Sequence, residues 1–144
     1  MAIVRLRGLP ILDQPLHQLE RLNAKVVQSD AIAYSASSPA DVFDIPANTF
    51  IEWIAVEVAE AVTAGNAFKL QLGVSGTATK YGEWNSSLQT AGFYAKSVGR
   101  ELSSAETLIA TLTDVGGSAA AGSFVIWIGY RPNSNEQKWV QAPR

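Results

Sequence analysis

Three stretches of this chain alternate large apolar residues with polar or small ones at a period of two. In Phe68–Val74 the residues Phe68, Leu70, Leu72 and Val74 alternate with Lys69, Gln71 and Gly73. In Ser123–Arg131, Phe124, Ile126, Ile128 and Tyr130 fall on one side, and Val125, Trp127 and Gly129 on the other. In Thr49–Glu60, Ile54, Val56 and Val58 oppose Trp53, Ala55, Glu57 and Ala59. A period of two sends successive side chains to opposite faces of a strand, so these stretches can bury a face only as sheet. Glu and Ala would allow a helix over Glu52–Ala61, but the β-branched residues and the alternation outweigh that propensity.

Weaker strands are expected at Lys25–Tyr34, Val42–Ile45, Thr77–Tyr81, Gly92–Val98 and Ala105–Thr113. Turn chemistry separates them at Ser35–Pro39, Pro46–Asn48, Thr63–Asn66, Ser75–Gly76 and Asp114–Gly122. Gly82–Ala91 is polar and reads as a loop holding Trp84. Seven or eight strands with turn signals roughly every eight to twelve residues predict a sandwich or barrel, and eight strands in two sheets would be a jelly roll. The expected fold is all-β: a jelly-roll-like antiparallel β-sandwich over residues 25–132, an extended N-terminal arm over 1–24, and a C-terminal tail over 133–144.

The arm breaks the pattern. Its first 22 residues carry nine large aliphatic side chains: Ile3, Val4, Leu6, Leu9, Ile11, Leu12, Leu16, Leu19 and Leu22. Gly8, Pro10 and Pro15 interrupt them. Asp13 can cap a short helix with Leu16, Leu19 and Leu22 on one face, but so short a helix is marginal alone. The segment is too greasy to leave in water and too broken to form its own core. It is expected to lie on another surface, of its own domain or of a neighbour.

The 144 residues are enough for one domain with a real core. A net charge of −2 supplies no basic field for nucleic acid, and a charged fraction of only 17% leaves a neutral surface suited to packing on protein. With no cysteine there is no disulfide, thiol catalysis or thiolate zinc site. Arg5 and Arg7 are followed by a prolyl break rather than an apolar run, so no signal peptide is expected. No stretch is apolar for the roughly 18–20 residues that a membrane span needs, and folding in the cytoplasm is expected.

Catalytic signatures are weak. The single histidine, His17, lies in the arm, which lacks the rigid frame a site needs. The carboxylates Asp41, Asp44, Glu52, Glu57, Glu60, Glu101 and Glu106 are scattered, and Glu57 and Glu60 fall on opposite strand faces. Asp41 and Asp44 lack the spacing of a calcium loop, so turn-capping is the expected role. Gly73–Gly76 has neither nucleophile-elbow spacing nor a phosphate-loop lysine. Asn85-Ser-Ser87 matches a glycosylation acceptor, a pattern common by chance. No catalytic residue, cofactor or metal is expected. Trp53 and Trp127 occupy the two strongest strands, on the side opposite the aliphatic rows. They either pack in the core or form a second apolar face that a neighbouring subunit or the arm covers. Trp84 and Trp139 lie in the expected loop and tail, where tryptophans can stack on sugars or anchor interfaces.

The run Phe43–Val58 (FDIPANTFIEWIAVEV), the strand Phe68–Gly73 (FKLQLG) and the closing run Phe124–Pro132 (FVIWIGYRP) resemble small β-sandwich virion proteins of tailed bacteriophages, of the capsid decoration (cement) or head-fibre type. The resemblance covers residues 40–132. It implies a jelly-roll-like fold, no enzyme activity, and assembly in the host cytoplasm as a dimer or trimer bound to the major capsid protein on the virion surface. Neither nucleic acid nor membrane is an expected partner. The expected partner-binding residues are Ile3, Leu6, Leu9, Ile11, Leu12, Leu16, Leu19 and Leu22 of the arm, a strap between capsid subunits, with Trp53 and Trp127. The alternative is a fibre or tail module that binds glycans through exposed aromatics such as Trp84.

Overall fold

Pairing of the alternating segments gives nine strands in a computed structural model that describes residues 25–63 and 68–132. They are β1 (Lys25–Gln28), β2 (Ile32–Ala33), β3 (Ala40–Ile45), β4 (Thr49–Glu60), β5 (Phe68–Val74), β6 (Thr77–Trp84), β7 (Gly92–Leu102), β8 (Glu106–Asp114) and β9 (Ser123–Pro132). The arm, the tail and most of the expected Thr63–Asn66 turn lie outside the described residues. No α-helix occurs among the described residues; one 3-10 turn spans Ser86–Gln89.

One sheet has the order β1-β9-β4-β7, with β2 also on β9; the second has the order β3-β8-β5-β6. All pairs are antiparallel. The expected strand Lys25–Tyr34 is instead two pieces, β1 and β2, broken after Gln28. Ser29 bridges the break: its N–H donates to the Ile126 carbonyl at 2.8 Å, and its Oγ accepts from the Ile126 N–H at 2.9 Å. Counted as one strand, these pieces pair with the last. The second strand then pairs with the seventh, the third with the sixth and the fourth with the fifth. That is one long hairpin, turned at Ser75–Gly76, rolled up on itself: a jelly roll.

The inner faces make the core. Ile54, Val56, Phe124, Ile126 and Ile128 of the first sheet face Leu70, Leu72, Leu108 and Ala110 of the second, all within 3% of fully buried. The rings of Phe68 and Phe124 meet between the sheets at 5.9 Å. Along the β6–β7 side the seam is closed by Trp84, whose indole Nε1 donates to the Tyr94 carbonyl at 3.1 Å. Trp84 therefore ends a strand and is buried, not exposed in a loop. The polar composition of Gly82–Glu83 hides this, because these residues pair across to Leu72 and Gln71 of β5 and extend β6. Strand β7 likewise outruns its expected end at Val98. Gly99, at φ +60°, supports a bulge opposite Glu52, and pairing resumes over Arg100–Leu102.

Strand β6 also arches over the end of β5. A Cβ on Gly73 would lie 2.2 Å from the Thr77 carbonyl oxygen, so the arch requires glycine there. Asp41 and Asp44 lie in strand β3 rather than at a turn, and Asp44 accepts from the Thr107 hydroxyl across to β8. Turn-capping belongs instead to Asp114, which accepts from the N–H groups of Gly117 and Ala119.

Phe124→Ala should cost roughly 3–5 kcal/mol, the transfer and cavity cost of a buried phenylalanine. Urea unfolding should show it as a lower midpoint at unchanged slope.

Candidate interaction surface

The two central strands of the first sheet are apolar on both faces. Strand register fixes which outer residues lie side by side. Gln28, Trp127, Ala55 and Ala95 form one row across β1, β9, β4 and β7. Val26, Gly129, Trp53 and Ser97 form the next row on one side. Val125, Glu57 and Phe93 form the row on the other.

Three aromatic rings gather on this face. Phe93 stands edge-on between Trp53 and Trp127, with ring centroids 6.1 and 6.0 Å away and interplanar angles of 69° and 68°. Such edge-to-face pairs contribute about 0.5–1.5 kcal/mol each beyond the area they bury. The rings roof Ala55, which is fully buried although it points away from the core. Trp53 lies flat across its neighbouring strand, because a Cβ on Gly129 would sit 2.1 Å from the indole Nε1. The Trp127 indole N–H donates to Glu57 at 2.9 Å. At the end of the face Arg131 lies 4.7 Å over the Phe50 ring and 2.9 Å from a Glu52 oxygen, an ion pair whose Nε–H is not aligned as a hydrogen bond. Phe93 remains 52% exposed and Val26 53%. An aromatic centre with charged and polar groups around it is the anatomy of a protein–protein interface.

The outer face of the second sheet is different. Lys69, Gln71, Glu83, Thr107, Thr111 and Thr113 share it, with Ile109 the large apolar member. Gln71 donates to Glu83 at 2.7 Å and Thr107 to Asp44 at 3.0 Å. Such a face is at home in water. A cleft of about 170 Å³ opens between β1 and β3 on the side away from Trp84, lined chiefly by Val27, Phe43, Pro46, Ile128 and Tyr130.

A polar cluster lies where β6 arches over β5. Glu106 accepts from Lys80 at 2.6 Å and from the Tyr81 hydroxyl. Burial alone would raise the Glu106 carboxyl, but hydrogen bonds from Lys80 and Tyr81 and the charges of Lys80 and Arg100 outweigh it and hold the group below its ordinary value. Burial, then the bond to Glu106 and its charge, push the Tyr81 phenol above its ordinary range. Every polar group in the cluster is occupied with another, so it ties β6 to β8 and leaves no free base or nucleophile. Among the described residues no three His, Asp or Glu side chains gather to hold a metal.

Of the expected partner-binding residues, Trp53 and Trp127 share the outer face and meet through Phe93. Ile3, Leu6, Leu9, Ile11, Leu12, Leu16, Leu19 and Leu22 lie outside the described residues. Phe93, Val26 and Gly129 are members of the face that the sequence reading did not single out. The signal for Phe93 was its alternation with Ala95 and Ser97, too weakly apolar to read as a face without knowing that β7 lies beside β4.

No protein-family model matches the sequence, and no curated protein is similar to it in sequence. Solved structures do share its fold. A chain of the capsid asymmetric unit of cyanophage Pam1 superposes with a TM-score of 0.61 at 18% identity, covering 76% of this chain and 85% of that one. A chain of the acidic-stable capsid of the Helicobacter pylori bacteriophage KHP30 gives a TM-score of 0.63 at 9% identity, covering 75% and 86%. The chain thus has a β-sandwich fold found in two phage capsids.

Two outcomes follow. Gly129→Ala should dislodge Trp53 and cost about 1–3 kcal/mol as overpacking, with a change in tryptophan fluorescence accompanying the lower unfolding midpoint. Glu106→Gln should cost about 1–2 kcal/mol at neutral pH. Because the folded carboxyl titrates below its unfolded value near 4.5, the deficit should be full above that pH and shrink as pH falls through the folded value. Urea titrations of both proteins across pH 2–7 measure it.

Proposed function

We propose that this chain is a structural protein of a bacteriophage virion, a decoration or cement protein that binds the capsid and acts without catalysis. The observation that carries the reading is the fold, shared over three quarters of the chain with chains of two phage capsids. The surface supports it: one outer face is aromatic and the other polar, as suits a small protein seated on a larger assembly. A capsid under pressure from its packed genome is strained at the seams between subunits. A protein bridging a seam adds buried apolar area worth about 2.5 kcal/mol per 100 Å² before the costs of ordering and association. The aliphatic arm, residues 1–24, adds reach, since some twenty extended residues span roughly 60–70 Å. The major capsid protein is the partner in this reading, with the decoration protein loaded as a dimer or trimer. Glycan binding by a fibre or tail module loses the contact that Trp84 would supply, because that ring is 3% exposed.

The test is sedimentation of purified protein with undecorated capsids of the phage that encodes it. The unaltered chain should co-sediment. Removing residues 1–22, or making Trp53→Ala with Trp127→Ala, should weaken loading at least about tenfold, or ~1.4 kcal/mol. Loading unaffected by either change would sink the strap and the aromatic face as contacts, and no loading by the intact chain would sink the role.

A further inference from the structure

Among the described residues nothing covers the aromatic rings on the outside of the first sheet, and the sequence places an aliphatic arm ahead of that sheet. We propose that they are partners of each other between copies, so that residues 3–19 of one copy lie across the Trp53–Phe93–Trp127 face of a second copy. The inference deepens the virion reading and rests on it only for its setting: the arm and the face serve the capsid through the joined copies, so that removing either weakens loading by separating those copies.

Chemistry matches first. The face offers three aromatic rings, with Phe93 and Val26 half exposed. Residues 3–19 hold eight of the nine arm aliphatics. The first twelve residues contain two arginines and no acid, and the face carries the acid Glu57 on its central strand beside Phe93. Its carboxylate already accepts from Trp127 and keeps lone pairs for a cation.

Direction decides between one copy and two. Strand β1 runs antiparallel to β9, with Lys25 opposite Tyr130 and Gln28 opposite Trp127. Stepping backward from Gln28 to Lys25 therefore leads away from Trp127, toward the Arg131–Pro132 end of the sheet. The chain comes into β1 from that end, and β1 lies at the opposite edge of the sheet from β7, which carries Phe93. An arm that kept the direction of β1 would move off its own face. The arm of a second copy is not bound by that direction.

Size points the same way. The face is on the order of 300 Å², four strands about 4.8 Å apart by three rows. A stable interface takes about 800 Å² from each partner, so two such faces laid together are too small. An exchanged arm brings its own apolar area and ties the copies through the chain. Its extended reach of roughly 50–60 Å far exceeds the ~15 Å width of one face. Reciprocal exchange closes a two-fold dimer, and head-to-tail exchange closes a ring such as a trimer.

Photocrosslinking of the full-length chain tests this. The variant Phe93→p-benzoylphenylalanine is refolded with a tenfold excess of isotopically heavy unaltered chain, irradiated without capsids, digested and read by mass spectrometry. Heavy peptides from residues 3–22 are expected on position 93. Light peptides from that segment alone mean that the arm folds onto its own sheet and overturn the inference. Crosslinks to the sheets or to residues 133–144, or none, also overturn it. The same photoprobe at Val115, exposed in the β8–β9 turn, should capture no arm peptide. If the bulky probe prevents folding, Leu12→Cys and Phe93→Cys on separate chains read the same contact in a protein with no native cysteine. A disulfide-linked heterodimer supports the exchange, and monomers alone overturn it. Capsid loading is scored separately. Loading with crosslinks only inside one chain overturns the exchange and leaves the virion role standing. Crosslinks between chains without loading support the exchange and overturn the virion role.

Discussion

The pairing of β4 with β9 is the contact on which the rest of this molecule depends. It runs from Thr49–Pro132 to Glu60–Ser123 through the middle of the first sheet. Because strand side chains alternate, this one ladder sets both faces at once. On the inside it aligns Ile54 with Ile128, Val56 with Ile126 and Val58 with Phe124, a third of the core among the described residues. On the outside the same register sets Ala55 beside Trp127 and Trp53 beside Gly129. A slip of β4 by one residue would turn Trp53 toward the core and Ile54 into water. The folding constraint and the candidate surface therefore share one cause.

The bulge at Glu52 shows how the two faces are reconciled. Register shifts between Ile51 and Trp53 on both neighbouring strands. Before the shift Ile51 points inward, and after it Ile54, not Trp53, is the next buried residue. The extra residue lets Trp53 lie outward over Gly129, and puts Glu52 where it meets Arg131. Glycine at 129 is the matching half of the device. Any side chain there would lift the indole off the sheet.

The strands with strong alternation were legible from sequence alone. Thr49–Glu60 and Phe68–Val74 have the expected bounds, and Ser123–Pro132 runs one residue beyond Arg131. In these segments the inward residues recur at every second position, apart from the break at the Glu52 bulge, so that local pattern and tertiary burial largely coincide. What could not be read was set by partners distant in the chain. The break at Ser29 depends on Ile126, and the extension of β6 through Gly82–Trp84 depends on β5. Trp84 looked exposed because its neighbours Gly82, Glu83 and Asn85 are polar, yet its ring closes the seam between the sheets. The candidate face was half legible. Trp53 and Trp127 stood out because a tryptophan opposite an aliphatic row is conspicuous. Phe93 did not, since nothing local in Gly92–Val98 says that the strand lies beside β4.

The unequal outer faces also bear on orientation. A jelly roll needs only its inner faces to fold, and the second sheet follows that minimum, with Thr107, Thr111, Thr113, Lys69 and Gln71 outward. Two tryptophans and a phenylalanine on the outside of the first sheet add nothing to the inner core and leave an aromatic patch half exposed, which makes that face the candidate contact surface. The arm joins the same sheet through β1, and the last described residue, Pro132, ends β9 beside it. The first and last described residues, Lys25 and Pro132, therefore both belong to the sheet that carries the aromatic face. A contact made on the aromatic face would leave the Ser75–Gly76 turn and the polar second sheet facing outward.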